Sequence, residues 1–254
     1  MKERSVIVHY HFFKNAGTSL DHVLKKAFPD GWNTVEADAS GPVTPERILT
    51  YLQEHPECRV LSSHTAQLSV LSLDNIRVYP IVFLRHPLDR VLSVYHFERK
   101  QTEDTEGSIH ARKLDLADFV AWRLSRKNDY SFQNFQSHRL AGLYPEGGSH
   151  HLSARALQGL QKLPFVGLVE SFDASLSILQ SWLEQGFPDV HLTAVKLNTT
   201  QSTDSTLVDR LGYLKQSLGV ELYRKLVEEN QADLMLHQYV SSMYTGYPSS
   251  RILI

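Results

Sequence analysis

The sequence predicts an α/β domain, a central parallel sheet flanked by helices. An apolar run from Val6 to Phe12 leads into a short basic turn containing Gly17, and Thr18-Ser19 then opens a helical pattern. Tyr79 to Phe97 repeats this order, with an apolar strand, a polar corner at Arg85-His86-Pro87 and a helix. Short apolar runs and helical periods alternate along much of the remaining chain, as expected of parallel strands joined by crossover helices. At 254 residues, with nothing that marks a linker between two cores, residues 1–254 read as one domain.

The expected strands are Ser5–Phe12, Arg59–Ser63, Val78–Leu84 and Phe165–Leu168. After the first, Leu20, Val23, Leu24 and Ala27 recur at helical spacing, and Pro29-Asp30-Gly31 stops the helix. Trp32 to Val43 has no period and reads as a loop. Thr44-Pro45 opens a helix to about Glu54, with threonine as cap and proline at the first helical position. Arg59–Ser63 delivers His64 to the carboxyl end of a strand, where ligands bind in open α/β sheets. Glu98 to Lys113 is charged and aperiodic and reads as an exposed loop, followed by an amphipathic helix over Leu114 to Arg126. Tyr130 to Gly142 mixes aromatics with Asn134, Gln136, His138 and Arg139. From its residues it reads as a capped helix with solvated polar residues. Tyr144 to His151 is turn-rich. Ser153 is the expected cap of a helix to Leu163, and Ser171 of one through Glu184 that Gly186 ends. Leu207 to Tyr244 is helical, broken near Gly219, with Leu222, Leu226, Leu234 and Leu236 toward the core.

The chemistry concentrates in the two corners. A strand, turn and helix N-terminus at Lys14 to Ser19 aim backbone N–H groups and the positive end of a helix dipole at one point, which suits an anion, and Lys14 adds a full charge. Taken alone, the motif is also a plain βα turn with a packing glycine and a solvated lysine. A nucleoside triphosphatase loop reads GxxxxGK[ST], whereas here the lysine precedes Gly17, so this is a phosphate loop of another kind on a sheet of P-loop type. At the second corner, a triphosphatase would want a Mg²⁺-holding carboxylate. Arg85 stands there instead, with Ser93 two helical turns beyond Pro87. Two anion corners on one sheet suggest a ligand phosphorylated at both ends.

Lys14-Asn15-Ala16-Gly17-Thr18-Ser19 resembles the 5′-phosphosulfate loop of sulfotransferases that use 3′-phosphoadenosine 5′-phosphosulfate (PAPS), and Arg85 with Ser93 resembles their 3′-phosphate site. The likeness is to the carbohydrate branch, typified by heparan sulfate 2-O- and 6-O-sulfotransferases, whose loop reads PKTGGTS or PKTASTS. Here it reads FKNAGTS, so Phe13 and Asn15 depart from the pattern. The resemblance implies a P-loop-type fold, PAPS as donor with its bisphosphate PAP as product, and an acceptor hydroxyl on a glycan or small molecule. It also implies catalytic roles for His64, as base, and Lys14. Lys14, Asn15, Ala16, Gly17, Thr18, Ser19, Arg85 and Ser93 would bind the donor, and the polar loop Leu197 to Ser205 would add Asn198 and Thr200. FVGLVESFDASLSIL extends the likeness to a further strand and helix.

A formal net charge of -2 excludes general coating of nucleic acid or an acidic membrane, so anion binding must be local. Cys58 is the only cysteine, which excludes an intrachain disulfide and a cysteine-rich metal site. His9 with His11, or His150 with His151, could be imagined as metal ligands, but pairs without a third partner are weak evidence, and no metal is expected. MKERS runs straight into the first strand, and no run of 18 apolar residues occurs, so no membrane span and a cytoplasmic enzyme are expected. Animal carbohydrate sulfotransferases carry an N-terminal membrane helix; its absence here suggests a bacterial or trimmed chain. Two rival functions stay open: a P-loop kinase dependent on Mg²⁺, and a non-catalytic nucleotide or glycan binder.

Overall fold

The computed structural model describes residues 3–144, 151–193 and 205–246. Five parallel strands form the sheet: β1 (Arg4–Tyr10), β2 (Trp32–Thr34), β3 (Val60–Ser63), β4 (Ile76–Leu84) and β5 (Val166–Leu168), in the order β2-β3-β1-β4-β5. The central strand β1 pairs Ile7 with Val60 on one side and Val8 with Pro80 on the other. Ten helices surround it among the described residues. Those that place the site are α1 (Gly17–Ala27), α2 (Pro45–Glu54), α3 (Pro87–Lys100), α4 (Glu106–Lys113), α5 (Leu116–Ser125), α6 (Phe135–Ala141), α7 (Leu152–Leu160), α8 (Phe172–Leu183), α9 (Leu207–Glu229) and α10 (Gln231–Gly246).

Alternation along β1 sorts its side chains to two faces. Val6, Val8 and Tyr10 join a core with residues of α2, α6, α7 and α10, while Ile7 joins Leu20, Leu24 and the α8 residues Leu179 and Leu183. His9 and His11 share the register of Ile7, so the α1 face turns from apolar to polar at the carboxyl end of the strand. A third cluster packs α3, α4, α5 and α9 together through Val91, Phe119 and Leu214. The chain leaves β1 toward β3 and β2 and leaves β4 toward β5. The crevice between β1 and β4 is therefore the switch point of the sheet, where open α/β sheets bind ligands. Both anion corners lie at its mouth.

The expected strands are present with ends shifted by one or two residues, and Gly219 breaks the last helical stretch with a non-helical φ of 69°. Three expectations are corrected. Trp32–Thr34 is a strand rather than loop, a three-residue edge too short to show a period, held by pairing with β3. Glu106–Lys113 is a helix, because Thr105 and Ser108 form a reciprocal capping box and the small residues Ser108 and Ala111 bury without an apolar stripe. Helix α7 starts at Leu152 with His151 as its cap residue, so Ser153 lies inside and makes no cap bond. The turn-rich stretch before it falls largely outside the described residues. Among the described residues, no helix is long and apolar enough to cross a membrane. Thr105→Ala should destabilise the fold by about 0.5–2 kcal/mol and Ser153→Ala by less than about 0.5 kcal/mol in urea titrations, and equal losses would contradict this assignment of caps.

Candidate active site

Between β1 and α1 the turn places Lys14 (φ 64°) and Ala16 (φ 57°) in the left-handed region, which costs an L-residue about 1–2 kcal/mol each. Such strain persists where the surroundings over-determine it, and three buried grips do so here. Asn15 sends Nδ2 to the Phe83 carbonyl (2.7 Å) and to Oε1 of Gln136 (2.8 Å). Arg90, fully buried, donates Nε to the Phe13 carbonyl (3.1 Å) and lies over the Phe135 ring. Arg85 donates Nη1 to the Lys14 carbonyl (3.1 Å). The turn is held from inside. Its amides at Lys14, Ala16, Gly17 and Thr18 find no acceptor among the described residues, and with the positive end of α1 they form a cradle for an anion. Thr18 is exposed and Ser19 half-buried at the rim. The Asn15 side chain is spent on tethering the turn rather than presented to the crevice. Gly17 has a specific reason: a Cβ there would stand 2.1 Å from the His11 ring.

Across the crevice, Arg85 follows the last residue of β4. Gln136 accepts from its backbone N–H (2.8 Å) and donates to its carbonyl (2.9 Å), so one side-chain amide ties Asn15 and Arg85 into a single unit. Asp233 in turn accepts from the backbone of Gln136 and Ser137. Asp89, one turn into α3, pairs with Arg85 through Oδ2 (2.8 Å) and with Arg210 of α9 through Oδ1 (2.6 Å). Burial pushes the Asp89 carboxyl up, but Arg210 and Arg85 reverse this and hold it below the usual range. Ser93 is buried one further turn along the same face. Lys14 Nζ lies 4.4 Å from the Phe97 ring centre. Burial, then repulsion from Arg85, lowers it to about 8, against the pull of Glu98.

His64 sits just beyond β3, exposed at the rim, its ring 3.8 Å from that of His11. Since the His11 ring also lies against Gly17, His64 is placed one imidazole away from the start of α1. Glu36 fixes it. One oxygen accepts from the His64 backbone N–H (2.9 Å) and lies 2.8 Å from Nδ1, while the other accepts from the Thr65 amide (3.1 Å) and hydroxyl (2.7 Å). Burial raises the Glu36 carboxyl, and these hydrogen bonds from His64 and Thr65 bring it below its ordinary value. An ionised Glu36 only accepts, so Nδ1 carries a hydrogen and, in the neutral form of the ring, the lone pair is on Nε2. That is the tautomer of an oriented general base.

Sequence reasoning placed Lys14, the turn residues, Arg85, Ser93 and His64, and the structure brings them to one rim. Asn198 and Thr200 lie outside the described residues. Glu36, Asp89, Gln136 and Arg210 were missed. Asp89 had a visible signal, four residues after Arg85 on a helix, whereas the others meet their partners only through the fold. His138 lies against the Tyr130 ring, 4.0 Å between ring centres, and lines a cleft of about 470 Å³ with Gln67, Ser69, Arg139 and Lys162.

Together these features define a parallel α/β protein with two cationic, anion-accepting corners and an oriented histidine. The chain belongs to the same family as an uncharacterized protein of Archaeoglobus fulgidus, which is 33% identical over 247 residues spanning 95% of this chain and 98% of the relative. No family model matches it. Among solved structures it is similar to mouse sulfotransferase SULT7A1 complexed with PAP, with a TM-score of 0.42 and 13% identity over 94% of this chain and 90% of the other.

Burial and the neighbouring Arg85 lower the Lys14 ammonium from its ordinary 10.5 to about 8. Its charge therefore opposes folding below pH 8, and the opposition lifts as pH rises from 8 to 10.5. A bound anion favours the charged form. Affinity for sulfate, as a probe of the turn, should fall by up to about tenfold per pH unit above pH 8, and this slope should vanish in Lys14→Gln; calorimetry across pH 7–10 checks it, and a slope retained in the variant would show that Lys14 does not meet the anion.

Proposed function

We propose that this protein transfers a sulfuryl group from PAPS to an acceptor hydroxyl, on a carbohydrate or a small molecule. The observation that carries the reading is the joining of the two cationic corners by Gln136, with Arg85 where a nucleoside triphosphate enzyme would hold its metal-binding carboxylate. Asp89, the carboxylate beside the second corner, is already engaged by Arg85 and Arg210. Such a crevice favours a dianion at each end of a nucleotide over a metal-bound triphosphate. The 5′-phosphosulfate would lie on the turn amides and the 3′-phosphate at Arg85, Ser93 and Arg210.

In-line transfer needs a base at the acceptor, positive charge for the oxygens of the transferred group, and a cation at the leaving bridging oxygen. In this reading His64 Nε2 takes the acceptor proton, Glu36 steadies the imidazolium that results, the amides of Ala16 to Thr18 meet the equatorial oxygens, and Lys14 neutralises the leaving group. Preorganised charge of this kind is usually the largest contribution to such catalysis. The candidate route for the acceptor is the cleft lined by Gln67, three residues after His64, where Gln67, Ser69, His138, Arg139 and Lys162 offer hydrogen-bonding groups among apolar neighbours. The protein is expected to need no metal for this chemistry.

Incubation with sulfur-labelled PAPS and a panel of glycans, phenols and small alcohols should label one acceptor class. His64→Ala should lower turnover by about 10²-fold or more with near-normal affinity for the bisphosphate. Glu36→Gln should lower turnover in the same direction by less, since a neutral amide still positions the ring but stabilises the imidazolium poorly. Full turnover in His64→Ala would remove the histidine from the chemistry. Stronger thermal stabilisation by ATP with Mg²⁺ than by adenosine 3′,5′-bisphosphate would favour the kinase alternative instead.

A further inference from the structure

Behind the anion turn lies a group of side chains that the proposed transfer does not use. His9 and His11 project from β1 in the same register toward α1, where Asp21 meets both: His9 Nδ1 stands 2.8 Å from Oδ1 and His11 Nδ1 2.9 Å from Oδ2. The three candidate ligand atoms lie within 4.8 Å of one another. The sequence showed a histidine pair without a third partner, and the fold supplies it.

The surroundings make this cluster unusual. His9 is 1% and His11 6% exposed, and among the described residues the only other polar group on the carboxylate is the Ser62 hydroxyl, which donates to Oδ1 at 2.7 Å. Both imidazoles present Nδ1 to the Asp21 carboxylate, and no lysine or arginine among the described residues pairs with its negative charge. That charge lies one helical turn beyond Gly17, directly behind a cradle built for anions. A bare carboxylate there repels the ligand the turn is shaped to hold, whereas a bound cation would cancel the repulsion. Two imidazole nitrogens and one carboxylate are a donor set for a divalent first-row transition ion. Tetrahedral Zn²⁺ with bonds of about 2.0–2.1 Å spaces its ligand atoms about 3.3 Å apart, within the spread of the three present here, and an imidazole that gives Nδ1 to the metal carries its hydrogen on Nε2.

We infer that His9, His11 and Asp21 form a binding site for a divalent transition-metal ion of the Zn²⁺ class, which neutralises the carboxylate behind the anion turn. The fourth position is left for water or the Ser62 hydroxyl. The site stands on its own geometry and does not depend on the sulfuryl-transfer reading.

The test uses the full chain, stripped by chelator and titrated with Zn²⁺ against a chromophoric chelator. One ion per chain should bind tightly, and Asp21→Asn and His11→Gln should each weaken it by more than about 100-fold, the upper end for losing a mere supporting partner. His22→Ala, which removes an exposed neighbouring histidine, should leave binding unchanged and so separates this site from surface imidazoles. Because either buried variant could fail to fold, X-ray absorption on the Zn²⁺-loaded wild type gives an independent reading: two imidazoles and oxygen ligands at about 2.0–2.1 Å. Absence of tight binding, retention of binding in a folded Asp21→Asn protein, or a first shell with fewer than two imidazoles would each overturn the inference. In none of these outcomes is the donor site tested, since adenosine bisphosphate is absent throughout.

Discussion

One buried side-chain amide holds the rim together. Gln136 reaches from α6 to the turn after β1 through Asn15 and to the corner after β4 through both backbone groups of Arg85. Removing a partner from such a set leaves buried donors and acceptors unmade, at about 1–3 kcal/mol each. The left-handed residues Lys14 and Ala16 can be held only because this network and Arg90 fix the turn from beneath. The distance between the two anion corners is therefore set by the protein core rather than by a ligand, and this is preorganisation in structural terms.

Three carboxylates hold side chains of the rim in place by different means. Asp89 sits between Arg85 and Arg210, both of which keep donors beyond those it occupies. Glu36 spends its oxygens on the backbone and ring that follow β3, so His64 is exposed yet oriented. Asp21 receives two histidines and a serine, none of them a fixed cation. Asp21 is thus the one of the three whose side-chain partners are two imidazoles and a hydroxyl.

Much of the scaffold was legible because the chain announces β1, β4 and the helices after them by an abrupt change from apolar run to polar corner. Thr44-Pro45 marked α2 to the residue, with Thr44 accepting from the Arg47 amide. What was lost was lost for physical reasons. Trp32–Thr34 is a strand only because β3 lies beside it, and α4 depends on a capping box and close packing rather than on an apolar stripe. In the site, Lys14, Arg85 and His64 end strands and could be read directly. Glu36 lies 28 residues from His64, and Gln136 lies 121 from Asn15 and 51 from Arg85, so no local spacing connects them. Asp21 was the nearest miss: it follows the histidine pair by one turn of α1, and the packing of β1 against α1 brings them together.

The central claim is that the two corners bind the two ends of one ligand. Its most direct test compares adenosine 3′,5′-bisphosphate with adenosine 5′-monophosphate by calorimetry, in the wild type and in Arg85→Ala. The wild type should prefer the bisphosphate by roughly the 2–5 kcal/mol associated with a buried charged pair, and the variant should lose that preference while binding the monophosphate as before. A preference that survives in a folded Arg85→Ala protein, or equal binding of both nucleotides by the wild type, would contradict the account.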